Sequence, residues 1–269
     1  MSALTFSLRS SPASKLDCSP LIPERLTGMS RTQIENLDLV CGGERLRAAD
    51  VFRLSGEDTR QIVIAADGNL TGVGSGMSSG SITVDGDGGD YAGTEMRGGR
   101  LAIRGDAGAF AGSAMRGGRL EIGGGASAFL GAARPGERHG MRGGLITVAG
   151  SAGDRVGDRM RRGLILITGD AGRYCGARMI AGTVMIGGAT GDSPGFGLRR
   201  GTLLLEREPP SVPATFQDSG VLDYLWITLL EKELARDPSL RAYLPLNTRR
   251  RRYCGDLASG GAGEILIAR

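Results

Sequence analysis

Residues 91–120 read YAGTEMRGGRLAIRGDAGAFAGSAMRGGRL, a stretch whose second half repeats its first at an offset of 19 residues. Met96 and Met115 anchor these two copies. Working outward, Met77, Met141, Met160 and Met179 head further blocks, and Leu198 takes the next place. From Met77 to Met179 the anchors stand 19, 19, 26, 19 and 19 residues apart, the long interval being 19 plus a seven-residue insertion around Pro135 to His139. A fixed period of this kind decides the architecture before any motif is weighed.

The block reads G-x-x-M-x-x-G-x-φ-x-φ-x-G, with φ aliphatic. Three places after the anchor comes an unbroken glycine: Gly80, Gly99, Gly118, Gly144, Gly163, Gly182 and Gly201. The two φ positions follow, as in Leu101 and Ile103, Leu120 and Ile122, or Ile165 and Ile167. Their alternation puts both side chains on one face of a strand, and the glycines serve corners that exclude a Cβ. One such block cannot bury its own apolar face. Stacked copies, roughly 4.8 Å apart, can. The anchors, the φ pairs and the small or aliphatic residues Val73, Ala92, Ala111, Leu130, Val156 and Cys175 then form inward columns. Glycine at this density excludes a helical repeat, costing ~1 kcal/mol per helical position. There is no six-residue subperiod for a left-handed hexapeptide helix and no three-residue glycine period for collagen. The expected fold class is therefore all-β: a right-handed parallel β-helix of seven or eight coils, with an N-terminal cap and a C-terminal helical extension. Methionine is a flexible core filler, so the Met column reads as core and not as a metal or redox site.

Residues 1–60 break the repeat and are expected to cap it, covering a strand edge that would otherwise expose unpaired backbone. Gln61-Ile-Val-Ile-Ala-Ala-Asp-Gly resembles a degenerate first copy, so the repeats are taken as 61–208. Pro209, Pro210 and Pro213 then open an extended linker into a C-terminal extension, 209–269. A helix is expected from Ser219 to Arg236, capped by Asp218 or Ser219 and stopped at Asp237-Pro238. Its apolar face would be Val221, Leu222, Leu225, Trp226, Leu229 and Leu230, packed on the flank or end of the repeats or docked on another subunit. The basic run Arg249 to Arg252 reads as a solvated face.

Net charge is only +4, but its placement is uneven. Arg97, Arg116, Arg142, Arg161 and Arg199 each follow an anchor directly and should stack as an exposed column. Arg100, Arg119, Arg159, Arg162, Arg178 and Arg200 are expected at the same corner. The acids gather after the strands, at Asp85, Asp87, Asp90, Asp106, Asp154, Asp170 and Asp192, where Asp-Gly makes turns. Stacked guanidiniums about 5 Å apart repel by roughly 0.8 kcal/mol per pair even in water. The row is either a duplicated surface arginine or a track for a polyanion or acidic partner. Few aromatic residues are available to stack bases, which argues against nucleic acid.

Catalytic patterns are missing. His139 is the single histidine, and Cys18, Cys41, Cys175 and Cys254 show no paired spacing, so no metal site is expected. That cysteine usage suits a reducing cytoplasm. Gly72-Val-Gly-Ser-Gly-Met imitates a nucleotide loop without the Lys-Ser/Thr or the helix that would follow. No apolar run approaches membrane-spanning length, and no signal peptide is evident.

From about Gly28 to Leu205 the chain resembles a known Gly-rich repeat. YAGTEMRGGRLAIRGDAGAFAGSAMRGGRL is similar to the repeat shared by the C-terminal domain of the glutamate synthase large subunit and the third, Gly-rich subunit of formylmethanofuran dehydrogenase. The segment GERLRAADVFRLSG and the inserted PGERHGMRGG resemble the dehydrogenase subunit in particular. This resemblance implies a scaffold subunit, without catalytic residues of its own, in a cytoplasmic hetero-oligomer of one-carbon metabolism. Two such complexes are open. One is the formyltransferase/hydrolase complex of methylotrophs, in formaldehyde oxidation, which moves a formyl group from tetrahydromethanopterin to a methanofuran-type carrier and releases it as formate. The other is a tungsten or molybdenum formylmethanofuran dehydrogenase. With two lysines against 31 arginines the composition looks like that of a GC-rich bacterium and points to the first. The implied partners are hydrolase-like and formyltransferase subunits, and a carrier's polyglutamate tail would suit the arginine column. A free-standing β-helix enzyme or polyanion-binding module is the alternative from another class.

Overall fold

The aliphatic pairs of the repeats form short parallel strands, each bonded to the copy before it. The structure, a computed structural model, describes residues 2–66 and 69–269. In chain order the strands are β1 (Ala3–Leu8), β2 (Leu16–Asp17), β3 (Asp38–Cys41), β4 (Glu44–Arg47), β5 (Phe52–Ser55), β6 (Asp58–Ala65) and β7 (Leu70–Thr71). The repeat strands are β8 (Ser81–Asp85), β9 (Arg100–Ile103), β10 (Arg119–Ile122), β11 (Arg142–Val148), β12 (Arg162–Ile167), β13 (Thr183–Ile186) and β14 (Arg200–Leu205). After them come β15 (Gln217–Asp223), β16 (Arg249–Gly255) and β17 (Ala262–Ala268).

The expected β-helix with a separate cap and a helical extension is not the architecture. Among the described residues the strands form one mixed sheet of 13, ordered β15-β16-β17-β14-β13-β12-β11-β10-β9-β8-β6-β1-β5, and a second sheet of four, β4-β3-β2-β7. The seven repeat strands are parallel neighbours in chain order, but both ends of the large sheet are antiparallel. The cause is that the terminal segments carry strand patterns of their own. Ile265 and Ile267 of β17 extend the Leu203 and Leu205 columns, and β16 and β15 turn back on it. At the other end β6 pairs Ile62 with Ile82 and Ile64 with Val84, and β1 inserts between β6 and β5. Asp67 and Gly68, which close the degenerate first copy, lie outside the described residues.

Register within the repeats is set by the apolar columns. Leu101 sits between Ile82 and Leu120, and Ile103 between Val84 and Ile122. Two further lines of contact tie the copies together. Ala107, Ala126, Ala152, Ala171 and Thr190 bridge successively in parallel. After every anchor but the first, the next residue donates its N–H to the preceding anchor's carbonyl, as from Arg116 to Met96 at 2.7 Å. All six anchor methionines and Leu198 are fully buried, as are Val73, Ala92, Ala111, Leu130, Val156 and Cys175. Gly118 shows why the corner excludes a side chain: its φ is +80°, and a Cβ there would stand 2.7 Å from the Gly98 carbonyl.

The helix is shorter than the sequence suggests, Leu225–Ala235. Residues 217–223 pair with β16 instead, so tertiary pairing overrides helical periodicity there. Its buried residues are Ile227 and Leu234, whereas Leu225 and Leu229 are 77% and 61% exposed. Ile227 and Leu234 pack on Leu166, Met185, Leu204 and Leu266, the opposite face of the sheet from the anchor methionines. Arg119 fastens the following turn through Asp237 and through Ser239 Oγ at 2.5 Å. The basic run is not wholly solvated. Arg250 is fully buried and donates to the carbonyls of Asn247 (2.7 Å) and Leu205 (3.3 Å) and to Glu206 (2.5 Å).

Met115→Ala should lower the unfolding free energy by about 2–5 kcal/mol, the ordinary cost of emptying a closed core site. Urea unfolding followed by circular dichroism measures it. A loss well under 1 kcal/mol would show that the Met column is loosely packed.

Candidate basic interface

The interface begins with the hydrogen bond that fixes the post-anchor position. Arg97, Arg116, Arg142, Arg161 and Arg199 donate backbone N–H to the preceding anchor's carbonyl at 2.7, 2.7, 2.6, 2.8 and 2.9 Å. Because the anchor points inward, its neighbour points outward. Arg97, Arg116, Arg161 and Arg199 are exposed, and Arg142 is half-buried. The first four occupy consecutive repeats. Ile180 fills the same position in the next one, through its own bond to the Met160 carbonyl, and Arg199 resumes the row. Among the described residues none of the five guanidiniums has a carboxylate partner. Arg142 Nε is buried with no acceptor, a state that costs about 1–3 kcal/mol for an ordinary donor.

The neighbouring arginines expected at this corner divide into different settings. Arg100 and Arg119 share Glu121 on the sheet face. Arg178 is paired with Asp158, and Arg159 Nη1 donates to the Glu137 carbonyl at 2.8 Å. Arg162 and Arg200 stay beside the column, where with Arg161 and Arg199 they surround the gap left by Ile180 and Ala181. The acidic residues are more than turn formers. Asp87, Asp90, Asp106, Asp154 and Asp170 each accept a backbone N–H from the repeat 19 residues on, at 2.7–2.8 Å. Their charge is spent on holding copies together.

His139 belongs to the same basic surface. Partial burial, and then Arg142, Arg161 and Arg138, hold its imidazole below the ordinary histidine pKa. Among the described residues no group of three or more His, Cys, Asp or Glu is placed to hold a metal ion. No described helix is long and apolar enough to cross a membrane.

A second surface column escaped the sequence reading. Tyr91, Phe110 and Phe129 stack face to face, centroids 5.5 and 4.7 Å apart, and Arg155 lies over Tyr174 at 5.0 Å. All five have φ between 59° and 67°, a region bulky residues rarely enter. The signal was present, since four of them stand five places before an anchor, as does Phe129 once the insertion is removed. It lay hidden among glycine corners.

No protein-family model matches the chain, and no curated protein does. A solved structure does: a chain of the formyltransferase/hydrolase complex FhcABCD from Methylorubrum extorquens, crystallised with methylofuran. The two are 36% identical, with a TM-score of 0.88, and the match covers 98% of this chain and 99% of that one. The chain belongs to the family of that formyltransferase/hydrolase component. A match over nearly all of both chains takes in the N-terminal strands and the C-terminal meander as well as the repeats.

The His139 titration tests the electrostatics of this surface. As the single histidine it gives one imidazole signal by NMR, and its midpoint should fall below the ordinary value of about 6.5. Replacing Arg142 and Arg161 by Gln removes cations that oppose protonation, so the midpoint should rise. No movement would mean that the two guanidiniums point away from the ring.

Proposed function

We propose that the chain is the scaffold subunit of a cytoplasmic formyltransferase/hydrolase complex, the counterpart of the third, Gly-rich subunit of formylmethanofuran dehydrogenase. There a formyl group would pass from tetrahydromethanopterin to a methanofuran-type carrier and leave as formate, with the chemistry on hydrolase-like and formyltransferase partner subunits. The end-to-end match to a component of FhcABCD carries this reading. The scaffold role is supported by the carboxylates of the repeats, which are engaged with backbone amides where a catalytic pair would need to be free. Four free thiols suit a reducing compartment.

Within that role the arginine column has the task of holding an acidic partner surface or a polyglutamate carrier tail. Guanidinium forks match carboxylates and keep their charge at any cellular pH. The orphaned Arg142 Nε supports an acceptor arriving from outside the chain.

Native purification of the endogenous protein should bring hydrolase-like and formyltransferase subunits with it. A lone monomer or homotrimer would overturn the proposal in favour of a free-standing enzyme or binding module. Changing Arg116, Arg142 and Arg161 together to Gln should weaken assembly or carrier binding. At roughly 0.2–1 kcal/mol per contact for three arginines, the loss should be about 3- to 140-fold at low salt. It should shrink as salt passes ~0.1 M, where screening acts within ~10 Å. Wild-type affinity in the triple variant at low salt would leave the column a duplicated surface.

A further inference from the structure

At Ile180 and Arg199 the column borders a cleft of about 770 Å³ that the repeat pattern does not account for. Three parts of the chain build it. The seven-residue insertion brings Arg138 and His139, the left-handed turns of two repeats bring Arg159 and Arg178, and the last repeat and the C-terminal segment close the far side.

Its charges do not balance. Arg178 Nε is 2.9 Å from Asp158 and so neutralised, and Arg159 has only a carbonyl partner. Arg138 and Arg199 have no carboxylate partner among the described residues. The one carboxylate on the lining, Asp256, is 4% exposed and turned to backbone, taking N–H from Gly197 at 3.0 Å and from Ala258 at 2.9 Å. On the same lining Phe196 is 53% exposed, its ring edge-on to Tyr174 at 6.0 Å, and its carbonyl accepts the Arg178 N–H at 2.7 Å. The lining therefore sets unpaired guanidiniums beside a flat, apolar ring.

We propose that this cleft binds a small organic polyanion: two or more carboxylate or phosphate groups on an apolar body that rests against Phe196. Separate guanidiniums, fixed on different elements, grip separate oxyanions through their planar forks. Phe196 takes the body. The volume lies within the ~300–1,000 Å³ usual for small-molecule sites. The site shares Arg199 with the column, but its other cations, Arg138 and Arg159, lie off it.

Calorimetric titration of the full chain at constant ionic strength tests it, with benzene-1,3,5-tricarboxylate and fructose 1,6-bisphosphate as separate probes. At least one should bind at a single site in the presence of excess sulfate, and which one binds distinguishes carboxylate from phosphate. Arg138→Gln with Arg199→Gln should weaken that binding at least tenfold, and Arg199→Gln alone by a smaller factor. Phe196→Ala should weaken the aromatic tricarboxylate more than the bisphosphate, if both bind. Arg53→Gln with Arg60→Gln, exposed arginines of β5 and β6 away from both the column and the cleft, should leave binding unchanged. The proposal is overturned if neither probe saturates, or if this control variant loses as much affinity as the cleft variant. Both results can arise whether or not the complex assembles.

Discussion

Every repeat must find partners for its backbone N–H and C=O groups in the copy 19 residues away, and the rest of the molecule follows from that constraint. A buried peptide group left unpaired costs as much as a lost hydrogen bond, so the copies are held in register around the whole outline of the block. Arg97 donates to Met77, Gly105 to Gly86 and Gly112 to Ala92, on three separate stretches of the same repeat. The insertion before Met141 obeys the same rule. It leaves after Ala133, whose N–H still reaches Asp158, and returns at Met141, whose N–H reaches Gly131. Extra residues are tolerated only where the chain can depart and rejoin without shifting the columns.

Alignment of the backbone also aligns charge. The carboxylates that stand in register after the strands become acceptors for amides of the next copy, whereas the guanidiniums after the anchors meet no carboxylate among the described residues. A chain of modest net charge thereby presents a concentrated basic edge. Its strength lies in spacing and in the lack of internal neutralisation more than in the number of arginines. At Ile180 the row is interrupted, and Arg161 and Arg199 on either side line a depression there.

The repeats were legible because glycine, methionine and alternating aliphatic residues recur at fixed places, which gave strand positions, parallel register and buried columns. The ends were not, because pairing there is decided by what the last repeat strand offers. Nothing local in Gln217–Asp223 says strand; Arg249–Gly255 supplies the partner. One clue was available. Repeat strands change from alternation, Ile82-Thr-Val and Leu120-Glu-Ile, to unbroken apolar runs, Leu164-Ile-Leu-Ile and Leu203-Leu-Leu. Such runs mark strands buried on both faces, and they foretell a layer over β12 to β14, where the C-terminal helix docks. For the basic surface, the five arginines were legible by position. The partnering of Arg100, Arg119 and Arg178, and the meeting of His139 with Phe196 around one cleft, depend on folds of the chain far apart in sequence.

Glu24 occupies the place where a preceding repeat would stand. In later copies the two amides after an anchor turn to the previous methionine carbonyl, as Arg97 and Gly98 do toward Met77. At the first anchor the same amides, Ser78 and Ser79, meet Glu24 Oε1, which also takes the Ser78 hydroxyl at 2.7 Å. Burial alone would raise that carboxyl's pKa, but the hydroxyl and amide donors outweigh it and keep the group ionised. At the opposite end the Leu198 carbonyl is closed by Asp256 N–H. Both ends of the array are thus chemically terminated by residues that no repeat contains. A unit added at either end would have to displace Glu24 or the Asp256 amide before its own backbone could pair along the anchor line.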